Sequence, residues 1–277
     1  MRRGYEKALI TGASSGIGAA FARILPESTN LLLTGRSEER LRRVASGLAG
    51  RSGHVELIAA DLATVEGRAA VIEQARASEI DLLICSAGLG RAGSFIDRPI
   101  AEARDTLTVN VLATVELLHA LMPEMIARAR RGGRRKGVII VSSAAVFAEV
   151  GPGLACYGAS KAFMLRFAQV LAAEVEGQPI DLLALCPTYT DTAFFNRAGL
   201  APPPHTMSAE AVAREGMAAL GRRTIHFCSI HHYPQAIRRL VAFNPALAAW
   251  RWPRQIAARL QALRPRRNAG PTLPELR

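Results

Sequence analysis

Six short runs, Ala8-Leu9-Ile10-Thr11, Leu31 to Thr34, Val55 to Ala59, Leu82 to Cys85, Val138 to Val141 and Leu182 to Cys186, are apolar almost throughout rather than alternating. Strands buried on both faces read this way, which is the signature of a parallel sheet covered by helices on each side. Between them lie segments with helical spacing. Ile17 to Leu25 is stopped by Pro26, and Ser37 to Leu48 begins at a serine placed to cap its first turn. The alternation predicts an α/β fold, a doubly wound (Rossmann-like) parallel sheet with right-handed crossovers in a single domain. We assign 1–235 to that domain, with a substrate lid over about 188–205, and 236–277 to a basic helical C-terminal extension.

Two further helices are predicted over Asp105 to Ala127 and Tyr157 to Val175, and both carry apolar residues on nearly every face. Phe163, Met164, Leu165, Phe167, Val170 and Leu171 cannot all meet one sheet, so a homodimer or homotetramer is expected, the alternative being cover by the C-terminal segment.

Candidate chemistry begins where the first strand ends, in Thr11-Gly12-Ala13-Ser14-Ser15-Gly16-Ile17-Gly18. Glycines at 12, 16 and 18 permit a tight turn and close backbone approach, and free N–H groups at the following helix start attract a phosphate, so Gly12, Ser14, Ser15, Gly16, Ile17 and Gly18 are expected to hold a dinucleotide. The second strand ends in Gly35-Arg36, where an NAD site usually carries an acid. A guanidinium there pairs with a 2′-phosphate, which favours NADP over NAD.

Tyr157 and Lys161 stand four apart, on one face of a helix. The chain has three Lys, at 7, 136 and 161, among 35 basic residues. A position that keeps Lys where nearly all others use Arg has a chemical reason for it. A nearby ammonium is expected to lower the phenol pKa, making Tyr157 a proton donor and acceptor near neutral pH.

These residues together resemble the short-chain dehydrogenase/reductase family, over roughly Lys7 to Gly199. The resemblance adds Asp61-Leu62 after the third strand, Ala87-Gly88 after the fourth, Asn110 on the next helix and serines after the fifth. It implies an NAD(P)-dependent oxidoreductase acting on CH–OH or C=O groups. Tyr157 would exchange a proton with the substrate oxygen, Lys161 would tune it and bind the nicotinamide ribose, Ser143 would orient the carbonyl, and Asn110 would anchor a water relay. Asp61 and Leu62 would border the adenine, with Ala87, Gly88, Pro187 and Thr190 or Thr192 completing the cofactor site.

The chain departs from the family pattern in three places. Cys85-Ser86-Ala87-Gly88 replaces the frequent Asn-Asn-Ala-Gly. Ser143 lies fourteen residues before Tyr157, with Ala144 at the usual serine position and Ser142 in reserve. Thr188 follows Pro187 where glycine is usual.

Phe147, Val150, Leu154, Phe194 and Phe195 are candidates for an apolar cleft, which points to a lipophilic small-molecule ketone or secondary alcohol. The competing function is a regulatory dinucleotide-binding protein without catalysis, whose mark would be a broken Tyr and Lys pair.

Composition alters this picture little. The net charge of +12 is concentrated in Arg128 to Lys136, read as a solvated loop, and in Arg238 to Arg277, so no nucleic-acid partner is expected. Trp250 to Leu263 mixes Trp, Leu and Arg as an interfacial helix does, which allows contact with a membrane surface, the alternative being a C-terminal helix that closes the substrate site. No leader or spanning segment is read, and the expected location is cytoplasmic or peripheral to a membrane. Four cysteines without a Cys-x-x-Cys pair are expected to be reduced and mostly buried. His231-His232 has no matching ligand spacing, and no metal is assigned.

Overall fold

The computed structural model describes residues 4–132, 134–146 and 153–228. Phe147 and Val150, His231-His232 and the C-terminal extension with its interfacial segment lie outside the described residues.

Seven parallel strands form the main sheet in the order β3-β2-β1-β4-β5-β6-β9. They are β1 (Lys7–Thr11), β2 (Asn30–Gly35), β3 (Val55–Ala59), β4 (Leu82–Cys85), β5 (Lys136–Val141), β6 (Ile180–Cys186) and β9 (Ile225–Phe227). The order reverses between β1 and β4, so the C-terminal ends of these two strands border the crevice where such sheets bind ligands. β9 extends the sheet beyond the six strands expected. Two short strands, β7 (Thr190–Asp191) and β8 (Met207–Ser208), pair separately.

Successive residues of each central strand point to opposite faces, and both faces are buried. Leu9, Leu83, Val138 and Ala184 pack with α3 (Val65–Ala77), α5 (Ala113–Gly132) and α6 (Ala155–Glu174). Ile10, Ile84, Ile139 and Leu183 pack with α1 (Gly16–Ile24), α2 (Glu38–Ser46) and α8 (Ala209–Ala219). This is the physical origin of the uninterrupted apolar runs in the sequence.

Helix starts follow local chemistry. Ser37 caps α2, accepting from the Arg40 N–H at 3.3 Å. Thr64 does the same for α3 with Gly67 at 3.0 Å, and Ser208 for α8 with Ala211 at 3.1 Å.

The helix expected over Asp105 to Ala127 is longer and is not uniform. It begins as α4 (Ile100–Leu107), passes through a π turn (Thr108–Leu112) and continues as α5. Although long and apolar enough to suit a membrane span, half of its most apolar window is buried, and Leu117, Leu118, Leu121 and Met125 join the core beside the sheet. α6 starts two residues before Tyr157.

The basic run read as a solvated loop spans the last turns of α5, the residues 134–135 that lie outside helix and strand, and the start of β5; Arg130, Arg131, Arg134 and Arg135 are exposed, and several of its guanidiniums are engaged. Arg128 donates to the Ile80 carbonyl, Arg130 to Gln178, Arg134 pairs with Glu6 and Arg135 with Asp181. The four cysteines are free thiols, with Cys85, Cys186 and Cys228 buried.

Candidate active site

The glycine turn lies at the end of β1. Gly12 has a φ of +66°, and a Cβ there would fall 2.7 Å from the Ala87 Cα, so the turn fits only with no side chain at this position. Ser86, which replaces the family's asparagine, stitches β4 to the same turn. Its hydroxyl donates to the Thr11 carbonyl at 2.9 Å, while the Thr11 hydroxyl accepts from the N–H groups of Ser86 and Ala87 at 3.1 Å. The serine thus supports the central strands by a different set of bonds. Asp61 follows β3 and turns back on itself, accepting from Ala63 at 3.0 Å. Arg68, buried in α3, donates to the carbonyls of Leu62, Ala63 and Thr64 and pairs with Glu116 of α5 at 2.6 Å. That ion pair fixes the Asp61-Leu62 segment against the core.

Asn110 sits inside the π turn and is buried. Its carboxamide accepts from the Leu89 N–H at 2.7 Å and donates to the Leu89 carbonyl at 2.8 Å and the Ser160 hydroxyl at 2.9 Å. Single π turns of this kind recur at functional sites because they push one residue out of helical register.

Lys161 is 5% exposed and donates to the Val141 carbonyl at 2.9 Å. Its ammonium lies 5.9 Å from the centre of the Tyr157 ring. A Cβ placed on Gly88 would stand 3.4 Å from that ammonium and 3.5 Å from the Asn110 Oδ1, so Gly88, Asn110 and Lys161 meet at one point. Burial lowers the Lys161 pKa to about 8, which leaves it cationic at neutral pH.

The two serines separate cleanly. Ser142 is buried, and its hydroxyl donates to the Lys161 carbonyl at 2.7 Å. Ser143 instead lies beside the Tyr157 phenol, and its hydroxyl accepts from the Ala145 N–H at 3.1 Å. The phenol was expected to be lowered by Lys161. Burial dominates and pushes it above its ordinary value, and the Ser143 hydroxyl pulls the other way.

After β6, Ala144 donates to the Pro187 carbonyl at 2.8 Å, which sets Pro187 beside the serines. Thr190 is buried and donates to the Thr188 carbonyl at 2.9 Å, a local turn. Thr192 faces the glycine turn, its methyl 3.0 Å from where a Cβ on Gly16 would be. Of these two threonines, Thr192 is the one set against the glycine turn. The segment continues into α7 (Phe194–Ala198), where Phe194 packs on Tyr157 with ring centres 5.0 Å apart. Phe195 continues the aromatic surface to Tyr189 at 6.1 Å.

Arg36 is exposed just past β2. A residue not singled out in the sequence joins this end of the site: Arg197 of α7 donates to the Ser15 hydroxyl at 3.1 Å. The contact spans 182 positions, and nothing local in the sequence signals it.

Comparison with known proteins agrees with this arrangement. A profile described as short chain dehydrogenase matches residues 6–201. The chain is 34% identical over 190 residues to oxidoreductase UcpA of Escherichia coli, covering 68% of this chain and 70% of that protein. Among solved structures it is similar to a short-chain dehydrogenase from Sphingobium yanoikuyae in complex with NADPH, with a TM-score of 0.77, 28% identity and coverage of 89% of this chain and 96% of the other. It is also similar to the bulky-bulky ketone specific alcohol dehydrogenase from Comamonas testosteroni, with a TM-score of 0.72, 27% identity and coverage of 89% and 95%. A seven-stranded parallel sheet, a glycine turn at its switch point, a Ser, Tyr and Lys group beside it and a profile match over most of the length lead to one conclusion: this chain belongs to the short-chain dehydrogenase/reductase family, whose members oxidise alcohols or reduce ketones with a nicotinamide dinucleotide.

Proposed function

We propose that the protein is an NADP-dependent oxidoreductase that interconverts a lipophilic ketone and its secondary alcohol. The observation that carries this reading is the grouping of Tyr157 with Ser143 and the buried Lys161 ammonium, with Phe194 packed on the tyrosine ring. A bound nicotinamide supplies or accepts the hydride. Tyr157 passes a proton to or from the substrate oxygen, and Ser143 holds that oxygen by its hydroxyl. Lys161 keeps a positive charge next to the phenol, which favours its ionised form as the proton leaves. Asn110 orders the polar path behind Lys161.

The residues present fit a dinucleotide: a side-chain-free turn at Gly12, the start of α1 and Thr192 facing it. The absence of an acid at the end of β2 and the exposed Arg36 support NADP over NAD. Leu154, Tyr189, Phe194 and Phe195 support an apolar substrate. A catalytically silent regulatory protein has no use for the intact Tyr157, Lys161 and Ser143 group. Exposed apolar side chains at Leu107, Leu112, Phe163 and Val170 support self-association through the surface of α4, the π turn and α6.

The test is a fluorescence titration of the purified protein with NADPH and with NADH, followed by a panel of bulky apolar ketones in which NADPH oxidation is recorded. Tighter NADPH binding and turnover of at least one such ketone are expected. Equal binding of both nucleotides would remove the NADP assignment, and inertness towards every ketone in the panel would remove the lipophilic substrate.

A further inference from the structure

Three segments distant in sequence converge on the glycine turn. Gly35, at the end of β2, lies against Ser14, since a Cβ on Gly35 would stand 3.1 Å from the Ser14 Oγ. Thr192, at the start of the lid, lies against Gly16. Arg197, one turn into α7, reaches Ser15. Arg36 follows β2, Arg40 lies in the first turn of α2, and Arg197 belongs to α7.

Burial depresses the Arg197 pKa, and the charges of Arg40 and Arg36 add to the shift in the same direction, so the three guanidiniums feel one another. Among the described residues none of the three has a carboxylate partner. Their neighbours Arg42 and Arg43 pair with Glu38 and Glu39 instead. Like charges gathered around a turn of backbone N–H groups repel one another, and a doubly charged anion relieves that repulsion. When a dinucleotide lies with its pyrophosphate on the glycine turn, its adenosine ribose falls at the end of β2. A phosphate on the 2′ oxygen then stands between the β2 arginines and α7.

We infer that Arg197 is a guanidinium ligand of the NADP(H) 2′-phosphate contributed by the lid, so that α7 closes on the phosphorylated cofactor in preference to the unphosphorylated one. The inference rests on the NADP assignment above and adds a consequence to it. Phe194 and Phe195 ride on the same short helix as Arg197 and pack toward Tyr157. The identity of the cofactor is thereby read by the element that covers the substrate.

The test uses the full-length chain and its Arg36→Ala, Arg197→Ala and Arg197→Lys variants. Dissociation constants for NADPH and NADH are measured at one ionic strength, with 2′,5′-ADP and 5′-AMP as competitors that lack the nicotinamide. Loss of one charge-assisted bond predicts at least a tenfold weaker NADPH affinity in Arg197→Ala, equivalent to 1.4 kcal/mol, with NADH changed less than twofold and 2′,5′-ADP weakened in parallel with NADPH. Arg197→Lys restores part of the loss. Equal weakening of NADPH and NADH in Arg197→Ala would place the guanidinium on the pyrophosphate or in a purely structural role and overturn the inference. Unchanged NADPH affinity in a folded Arg197→Ala, with preference lost in Arg36→Ala, would overturn it while leaving the NADP assignment intact. A wild-type chain without NADPH preference would overturn both.

Discussion

The Asn110 carboxamide donates to the Ser160 hydroxyl at 2.9 Å, which ties the π turn to the helix that carries Tyr157 and Lys161. The same side chain holds the Leu89 backbone from both its N–H and its carbonyl. Three segments that border the crevice are therefore fixed by one buried amide, with each of its polar atoms used. Preorganisation of this sort is what allows a proton-transfer group to act without reorganising its surroundings.

Tyr157→Phe removes the proton carrier and keeps the ring that packs on Phe194. Turnover of a reduced ketone is expected to fall by about 10²- to 10⁴-fold. Dinucleotide affinity, read by nicotinamide fluorescence, is expected to change little. Retention of full turnover would exclude Tyr157 as the acid.

Ser143→Ala and Ser142→Ala are expected to fail differently. The first removes the hydroxyl beside Tyr157 and lowers kcat by orders of magnitude, while loss of the partly buried bond from the Ala145 N–H costs about 1 kcal/mol of stability or less. The second removes a bond to the Lys161 carbonyl and costs about 1 kcal/mol of stability, with turnover largely kept. Steady-state kinetics paired with urea unfolding separates the two. An inverted pattern would hand the catalytic role to Ser142.

Lys161 gives a pH signature. Burial lowers its pKa from 10.5 to about 8, so between those values the unfolded chain holds the extra proton and stability rises with pH. Below pH 8 the buried charge costs about 3 kcal/mol. The buried thiols of Cys85 and Cys186, pushed up to about 12 by burial, act in the opposite sense as pH rises above 9; Cys186 also senses the Lys161 charge, so the comparison is read most directly between pH 7 and 9. Lys161→Met is therefore expected to gain most over wild type at pH 7, with the gain shrinking as pH approaches 10.5. The unpaired Val141 carbonyl adds a loss of about 1 kcal/mol at every pH. Urea unfolding at a series of pH values measures the difference, and a flat difference would refute a charge-penalised amine.

Phe163 is 48% exposed on α6 and stacks on Phe167 of the same helix at 5.9 Å. If α6 is covered by a second copy, Phe163→Glu buries an unpaired charge and dissociates the assembly. Light scattering is expected to show the variant at half the mass of wild type or less. A wild-type chain that is already monomeric at tens of micromolar would remove the expectation.

Much of this architecture was legible because each physical requirement leaves its own mark on the sequence. Double-sided burial writes unbroken apolar runs, and all six such runs are strands. A phosphate-binding turn needs glycines, and a phenol and ammonium on one helical face need a spacing of four. The π turn was not legible, since the apolar pattern of Thr108–Leu112 serves an α-helix equally well. Nor was β9, whose three residues Ile225–Phe227 are too few to carry a pattern. Which serine meets the tyrosine depended on the turn after β5, where one residue more or less exchanges Ser143 for Ala144. Arg197 was invisible for a different reason: its partner is 182 positions away, and only the return of the chain over the crevice brings them together.

The π turn also bears on how this gene tolerates a lost codon. An α-helix advances about 100° per residue, so deleting one residue within α5 would swing every later side chain of that helix off its buried face. A π turn carries one residue more than an α-helical turn needs. Along the helical run Ile100–Gly132 it is the place where the chain has a residue to spare, and an in-frame deletion there lets the turn relax to ordinary helix with Leu117, Leu118 and Leu121 still facing the sheet. What vanishes is the bulge that presents Asn110. A single missing triplet at this point would yield a protein that folds and does not work.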